Sequence, residues 1–463
     1  MRNASRFLAA ALASLLVLPT GPAFAFGHRK KKQAAMKASP LTQDERVMQA
    51  LNRLSFGPRP GDVAAVKAMG LDQWINLQLY PERIDDSALE TRLAAYPAMQ
   101  LGLRELAARF PSPAMIRRAE RGKLAIPWDP MERAIYNDQI AQLRDRQAKR
   151  AQNAAATETA KGEPGNLSAG QPPAGENAAA ENSIAESAND AVQTETGLAR
   201  TETGPVPGRA NSEANPESGP GSNSEEKLYA DLAATSVVNL APEQRVGNLV
   251  AMPPDEFRGF LQHLSRPDRV ALFAGLTPEQ RETVFALINP QLVVGGEVVV
   301  TRVLRDVYSE RQLEAVMTDF WLNHFNVYLR KGDFAPWYLA QYQDEVIRPH
   351  ALGKFEDLLV ATAQSPAMLF YLDQSESVGP HSPAALRGAA ASAGPNGKAR
   401  SLGLNENYAR ELMELHTLGV DGGYTQHDVT EMAKVFTGWG IEHPEQGAEF
   451  VFNMGGMSRG RKW

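Results

Sequence analysis

Carboxylates, amides, histidines and an arginine crowd into residues 405–439, where NENYARELMELHTLG (405–419) runs into GGYTQHD (422–428) and ends in FTGW (436–439). These side chains serve general acid–base chemistry, metal ligation and buried polar networks alike. At about 100° per residue, Leu404, Tyr408, Leu412, Leu415 and Leu418 form one apolar stripe on a helix over 404–418. Glu411 falls inside that stripe, Asn407 and Glu414 on its edge, and Arg410 further round. A carboxylate placed there must meet a cation, donors, a metal or a proton, because an unpaired buried charge costs on the order of several kcal/mol.

Two readings of this helix stand side by side. In the first, Glu406, Arg410 and Glu414 form i,i+4 ion pairs and Asn407 bonds Glu411, giving a structural polar network. In the second, Asn407, Glu411 and Glu414 line one wall of a site. Glu411 or Glu414 then acts as general base or metal ligand, with Arg410 and His324 orienting or stabilising a substrate. His324 lies in FWLNHFNV (320–327) and reads either as a hydrogen-bonded core histidine or as a neutral imidazole facing Glu411. His416 falls on the opposite side of the helix from Glu411, in the last turn before Gly419, and reads as a C-terminal cap or surface residue. Thr425 and Asp428 have the spacing of a capping box, with Val429, Met432, Ala433 and Phe436 as the buried face of the helix that follows.

Stronger catalytic signatures do not occur. The chain has no His-Glu-x-x-His, phosphate loop, Gly-x-Ser-x-Gly, dinucleotide fingerprint after a strand, or EF-hand loop. It has no cysteine, which removes thiolate catalysis, Cys-ligated zinc and disulfides. No cofactor is required by the sequence, and a divalent metal is compatible with the carboxylates of the 404–418 helix.

The elements that must position these residues read as helices. Apolar residues recur at three- and four-residue spacing over 43–54, 61–69, 72–79, 129–149, 253–264, 278–288, 310–325, 355–364 and 404–418. Thr277 before Pro278 is an N-cap followed by proline at the first helical position. Residues 448–452 form the one good strand candidate near the end. The expectation is an all-α or predominantly α fold.

Residues 1–25 have the basic start, short apolar run and Ala-Phe-Ala ending of an export signal. Residues 26–40 form a flexible leader with the basic run HRKKK (28–32), which does not by itself hold a protein to a membrane. From 151 to 226 there is no aromatic residue, and acidic, Ala, Gly, Pro and Ser residues dominate, so this segment is expected to be disordered. It separates an N-terminal helical part, 41–150, from a C-terminal part of the same domain, 227–463, in which 376–401 reads as a flexible loop. No stretch of the mature chain is long and apolar enough to span a bilayer. The net charge of −6 argues against a nucleic-acid partner. The expected location is periplasmic or extracellular.

ALNRLSFGPRPGD (50–62), MGLDQWINLQL (69–79), FWLNHF (320–325) and the 405–439 block, in that order, resemble the bacterial domain-of-unknown-function 1800 family. The resemblance implies an exported, predominantly helical protein, with a partner from the domain-of-unknown-function 1501 family or another envelope component. It assigns no catalytic residue. Members of the family usually continue well beyond the motif matched by 437–439, so this chain is expected to be C-terminally truncated. The leading expectation is an exported binding or assembly protein of the cell envelope or extracellular space. The alternatives are a carboxylate- or metal-dependent hydrolase with its site on the 405–418 helix, and an inactive truncated fragment.

Overall fold

The computed structural model describes residues 41–160, 232, 234–392, 403–442 and 449–457. The chain divides into two units, Met1–Arg46 and Val47–Trp463, and the first is described only over 41–46, the start of a helix whose Thr42 and Glu45 cap each other. The segments expected to be an export signal and a flexible leader fall outside the described residues, as does most of the 151–226 segment expected to be disordered.

The chain is predominantly α, as its periodicity indicates. The N-terminal helices are α1 (Gln43–Leu54), α2 (Asp62–Met69), α3 (Leu71–Leu79), α4 (Ser87–Leu93), α5 (Leu103–Arg109), α6 (Pro113–Glu120) and α7 (Pro130–Ala160). After the insertion come α8 (Pro242–Ala251), α9 (Pro254–His263), α10 (Arg266–Phe273), α11 (Pro278–Ile288), α12 (Pro290–Tyr308), α13 (Gln312–His324) and α14 (Ala335–Gln341). The C-terminal helices are α15 (Phe355–Gln364), α16 (Pro366–Tyr371), α17 (Pro383–Ser392), α18 (Glu406–Met413) and α19 (Gln426–Val435). Two strands, β1 (Trp439–Ile441) and β2 (Phe450–Phe452), pair antiparallel with Trp439 opposite Phe452.

Prolines set where many of these helices begin. Pro113, Pro242, Pro254, Pro278, Pro290 and Pro366 are each the first residue of their helix, where the missing N–H costs nothing. Side chains accept the orphan N–H groups that follow: Ser112 from Met115, Asn289 from Gln291, and Thr277 from Gln280 in a full capping box.

The helix C-termini are closed differently, by donors from distant parts of the chain. Trp337 Nε1 donates to the carbonyl of Phe110 at 2.8 Å, Tyr342 Oη to that of Phe325 at 2.8 Å, and Tyr408 Oη to that of Ala363 at 2.5 Å. Gln139 donates to the carbonyls of Leu287 and Ile288, and Arg245 to those of Leu240, Ala271, Leu272 and Ala274. Apart from that of Ala271, which also accepts from Ala274 N–H at 3.1 Å, these carbonyls have no backbone donor among the described residues, and leaving one buried without a donor costs about 1–3 kcal/mol. Trp337, Tyr342 and Tyr408 therefore combine two roles, filling the core with aromatic area and ending a neighbouring helix.

One core joins α5 through α16 with α18 and α19, around Phe110, Phe257, Phe325, Trp337, Tyr342 and Tyr408. A smaller cluster of Val47, Leu51, Val66 and Trp74 holds α1–α3 together. Gln78 ties α3 to α13, donating to the Glu310 carbonyl at 3.0 Å and accepting from Leu313 N–H at 3.1 Å.

Four sequence expectations need correction. Helix α7 runs on through Ala160, beyond the boundary set at 150. Within 376–401, read as a loop, Pro383–Ser392 is helical, because Pro383 starts a run rich in alanine. The candidate at 448–452 was expected to be the one strand near the end, whereas Phe450–Phe452 pairs with a second strand, β1, that was not foreseen. Helix α12 was missed altogether, because VVGGEVVV (293–300) combines β-branched residues and glycine, which have low helix propensity. Its burial against α11 and α14 overrides that preference.

Candidate functional site

Asn405 begins the polar helix by using all of its hydrogen-bonding groups structurally. Its Oδ1 accepts from Tyr408 N–H at 3.1 Å, its Nδ2 donates to the Leu372 carbonyl at 2.6 Å, and its N–H donates to Ser377 Oγ at 3.0 Å. Beyond it, α18 does not continue as an α-helix to residue 418. From Glu414 to Leu418 it widens into a π-helix, with Gly419 N–H donating to the Glu414 carbonyl at 2.9 Å and Thr417 Oγ1 to the Leu412 carbonyl at 2.8 Å.

The extra residue in that turn slips the phase of everything after Met413. Leu415 and Leu418, expected in the buried stripe, are 58% and 56% exposed. His416, expected as a cap or surface residue, is buried at 8% exposure. A constant helical angle cannot represent this change.

The polar side chains of α18 divide between two directions. Gln426 bridges two of them, donating to Glu406 at 2.7 Å and accepting from Arg410 at 2.6 Å, while Thr430 donates to Glu406 at 3.0 Å. The network foreseen along one helix therefore runs across to α19. That helix starts with the expected Thr425–Asp428 capping box. Asn407 is exposed, and no hydrogen bond joins it to Glu411 among the described residues. Glu411 and Glu414 are partly buried neighbours. Burial first, and then the Glu414 charge, raise the Glu411 pKa against the opposing pull of Arg410. Glu414 accepts from Tyr424 Oη at 3.1 Å.

His324 reaches the far end of this helix. Its Nε2 lies 3.2 Å from the His416 carbonyl, and the two imidazole centroids are 6.3 Å apart. Phe320, Trp321 and Phe325 surround His324, and Phe325 meets His416 edge to face. Burial, with His324 beside it, lowers the His416 pKa to about 4, so its imidazole is neutral in neutral solution. The structure thus joins His324 to His416, and Glu411 to Glu414 and Arg410, as two adjoining clusters. Among the described residues no group of three or more His, Asp and Glu side chains could hold a metal ion.

A second titratable site escaped the sequence reading. Glu282 on α11 and Glu297 on α12 lie close enough within the core that each shifts the ionisation of the other. Ala98 N–H donates to Glu282 Oε1 at 2.6 Å, and Arg109 Nη2 lies 3.3 Å from Glu282 Oε2. Both Oε2 atoms are buried without a hydrogen-bond donor. A single proton on Glu297 resolves this, because two acceptors become a donor and an acceptor. Burial and the Glu282 charge push Glu297 up to about 10, and burial raises Glu282 as well.

Thr301, one turn beyond Glu297, and Tyr96, Met99 and Gln100, which bracket Ala98, line a groove of ≈ 320 Å³. The polar residues of 405–418 are not part of it. The available signals were a lone acid in VVGGEVVV and a glutamate just before the apolar residues of α11. Neither says that the two meet.

Comparison with curated proteins gives no match, and comparison with solved structures gives none. A family model described as "Protein of unknown function (DUF1800)" matches residues 49–463, nearly the whole of the Val47–Trp463 unit. The chain therefore belongs to the DUF1800 family.

Proposed function

We propose that the protein is an exported binding or assembly component of the cell envelope or extracellular space, and that it recognises its partner through the surface built around the π turn. The exposure of Leu415 and Leu418 carries this reading, because the phase slip that buries His416 turns two leucines out to solvent. Val420, at 71% exposure, lies just beyond them, and Phe320, at 52%, flanks the histidine pair. Grouped exposed apolar side chains on a folded protein mark interaction surfaces far more often than isolated ones do. The export signal in residues 1–25 supports the location, and no described helix is long and apolar enough to cross a membrane.

The test is a photo-crosslinking residue placed at Leu415 or Leu418 of the full chain in the producing cell, with Val270 on α10 as an exposed control. Discrete adducts with an envelope component from both leucine positions and none from Val270 are expected. No adduct at either leucine, or the same adducts at all three positions, would contradict the reading.

A second reading rests on Glu411 and Glu414. One carboxyl has a raised pKa beside another held by a tyrosine hydroxyl, which is a general acid next to a general base for a hydrolytic reaction. Its test is Glu411→Gln in an assay of ester, amide and glycoside hydrolysis by the wild-type chain. Activity that survives the substitution while only the melting temperature moves would remove this reading.

A further inference from the structure

Charge around the exposed ridge narrows what can dock there. Leu415, Leu418 and Val420 are bordered by Glu411 and Glu414 on the preceding turns and by exposed Asp421 on the following one. Glu414 and Asp421 both act on Tyr424, and Glu411 and Glu414 act on each other, so the three carboxylates form one field. Arg410 is the cation within that field, and its guanidinium donates to Gln426. His416 brings no positive charge, since it is buried and faces Phe325 and His324. The result is a short apolar ridge with an acidic rim.

The turn that ends the ridge is also rigidly specified. A Cβ at Gly422 would sit 2.5 Å from Leu418 Cβ and 2.9 Å from the Gly419 carbonyl oxygen. The chain therefore folds back directly against Leu418 and holds its base in place while its tip stays in solvent.

Taking the ridge as the interaction surface proposed above, we infer that its partner is a basic amphipathic helix, with an apolar stripe on Leu415, Leu418 and Val420 and Lys or Arg side chains on Glu411, Glu414 and Asp421. The apolar contact gives the affinity and the rim gives selectivity, since an acidic helix of equal hydrophobicity meets three like charges. Anionic lipid is repelled by the same rim.

The probes are two synthetic amphipathic peptides of about 18 residues, one Leu/Lys and one Leu/Glu, labelled for anisotropy and titrated with the full mature chain. The Leu/Lys peptide is expected to bind and to weaken as salt rises, while the Leu/Glu peptide does not bind. Leu418→Asp and, independently, Glu414→Lys should each weaken Leu/Lys binding about tenfold or more. A thermal melt of each variant confirms folding, and Glu414→Lys leaves the apolar ridge in place. Equal binding of both peptides, binding of neither, or Leu/Lys binding that ignores both substitutions overturns the inference. So does binding to phosphatidylglycerol vesicles in place of the Leu/Lys peptide. Adducts at Leu418 together with failure of the Leu/Lys peptide would leave the surface standing and remove the basic partner. Loss of the adducts would remove the surface itself.

Discussion

Replacing Glu297 by glutamine should change how stability depends on pH more than it changes stability at any one pH. In the folded protein burial, and then the Glu282 charge, favour the protonated form of Glu297, which can donate to Glu282. In the unfolded chain the same carboxyl ionises near its ordinary value of 4.5. Between those limits the folded state binds one more proton at this site than the unfolded state. The folded-state pKa is raised, and the group is an acid, so its contribution to stability is greatest at low pH. That contribution declines as pH climbs from about 4.5 towards about 10. The slope for one proton is about 1.4 kcal/mol per pH unit.

Glutamine offers Glu282 a fixed N–H in place of the O–H and takes up no proton. The groups that also face the pair, Arg109, Arg281, Glu279 and the Ala98 N–H, are common to both proteins and cancel in the difference. Wild type minus variant should therefore lose about 2.8 kcal/mol between pH values of roughly 6 and 8, with the variant gaining relative stability throughout. Urea unfolding of both proteins at several pH values across that interval measures this directly. A difference that stays constant within about 0.5 kcal/mol would show that Glu297 is ionised in the fold, and the shared-proton assignment would fall.

Arg245→Met should destabilise by about 3 kcal/mol in urea titrations, because Leu240, Leu272 and Ala274 lose the guanidinium that closes their carbonyls while the apolar stem is kept. Two glycine-to-alanine substitutions should have opposite signs in thermal melts. Gly422→Ala drives a Cβ into Leu418 and should cost about 1–3 kcal/mol. Gly296→Ala, mid-helix on α12 with nothing within 4 Å, should stabilise by about 0.5–1 kcal/mol. His416 should show no titration in NMR between about pH 5 and 8, because its folded pKa lies near 4. Its neutral form is the one that folds, so its contribution is complete above about 6.5 and is lost as pH falls towards about 4. An imidazole resonance of His416 that titrates near neutrality would contradict the burial argument.

What the sequence determined by itself lies within four or five residues of its cause. The spacing of apolar residues identified a helical protein, and Thr277 with Pro278 placed the start of α11 where the capping box forms. Thr425 and Asp428 did the same for α19. The motifs at 50–79, 320–325 and 405–439 were sufficient to identify the family before any fold was seen. Caps, prolines and periodicity are legible because each works through hydrogen bonds or sterics inside one turn of chain.

The tertiary structure decided the rest. It made a helix of a valine- and glycine-rich run by burying it between α11 and α14. It also widened the end of α18 at Glu414, which exchanged the places of His416 and its neighbouring leucines. Glu282 met Glu297 only because α11 and α12 pack side by side, with Ala98 and Arg109 brought in from nearly two hundred residues earlier. Trp337, Tyr342, Tyr408 and Arg245 likewise close helices remote from their own positions. A helix can announce its own beginning because its cap is a neighbour in sequence. Its C-terminal carbonyls and its buried charges are satisfied by whichever donor the packing brings near, and the spacing along the chain carries no record of that.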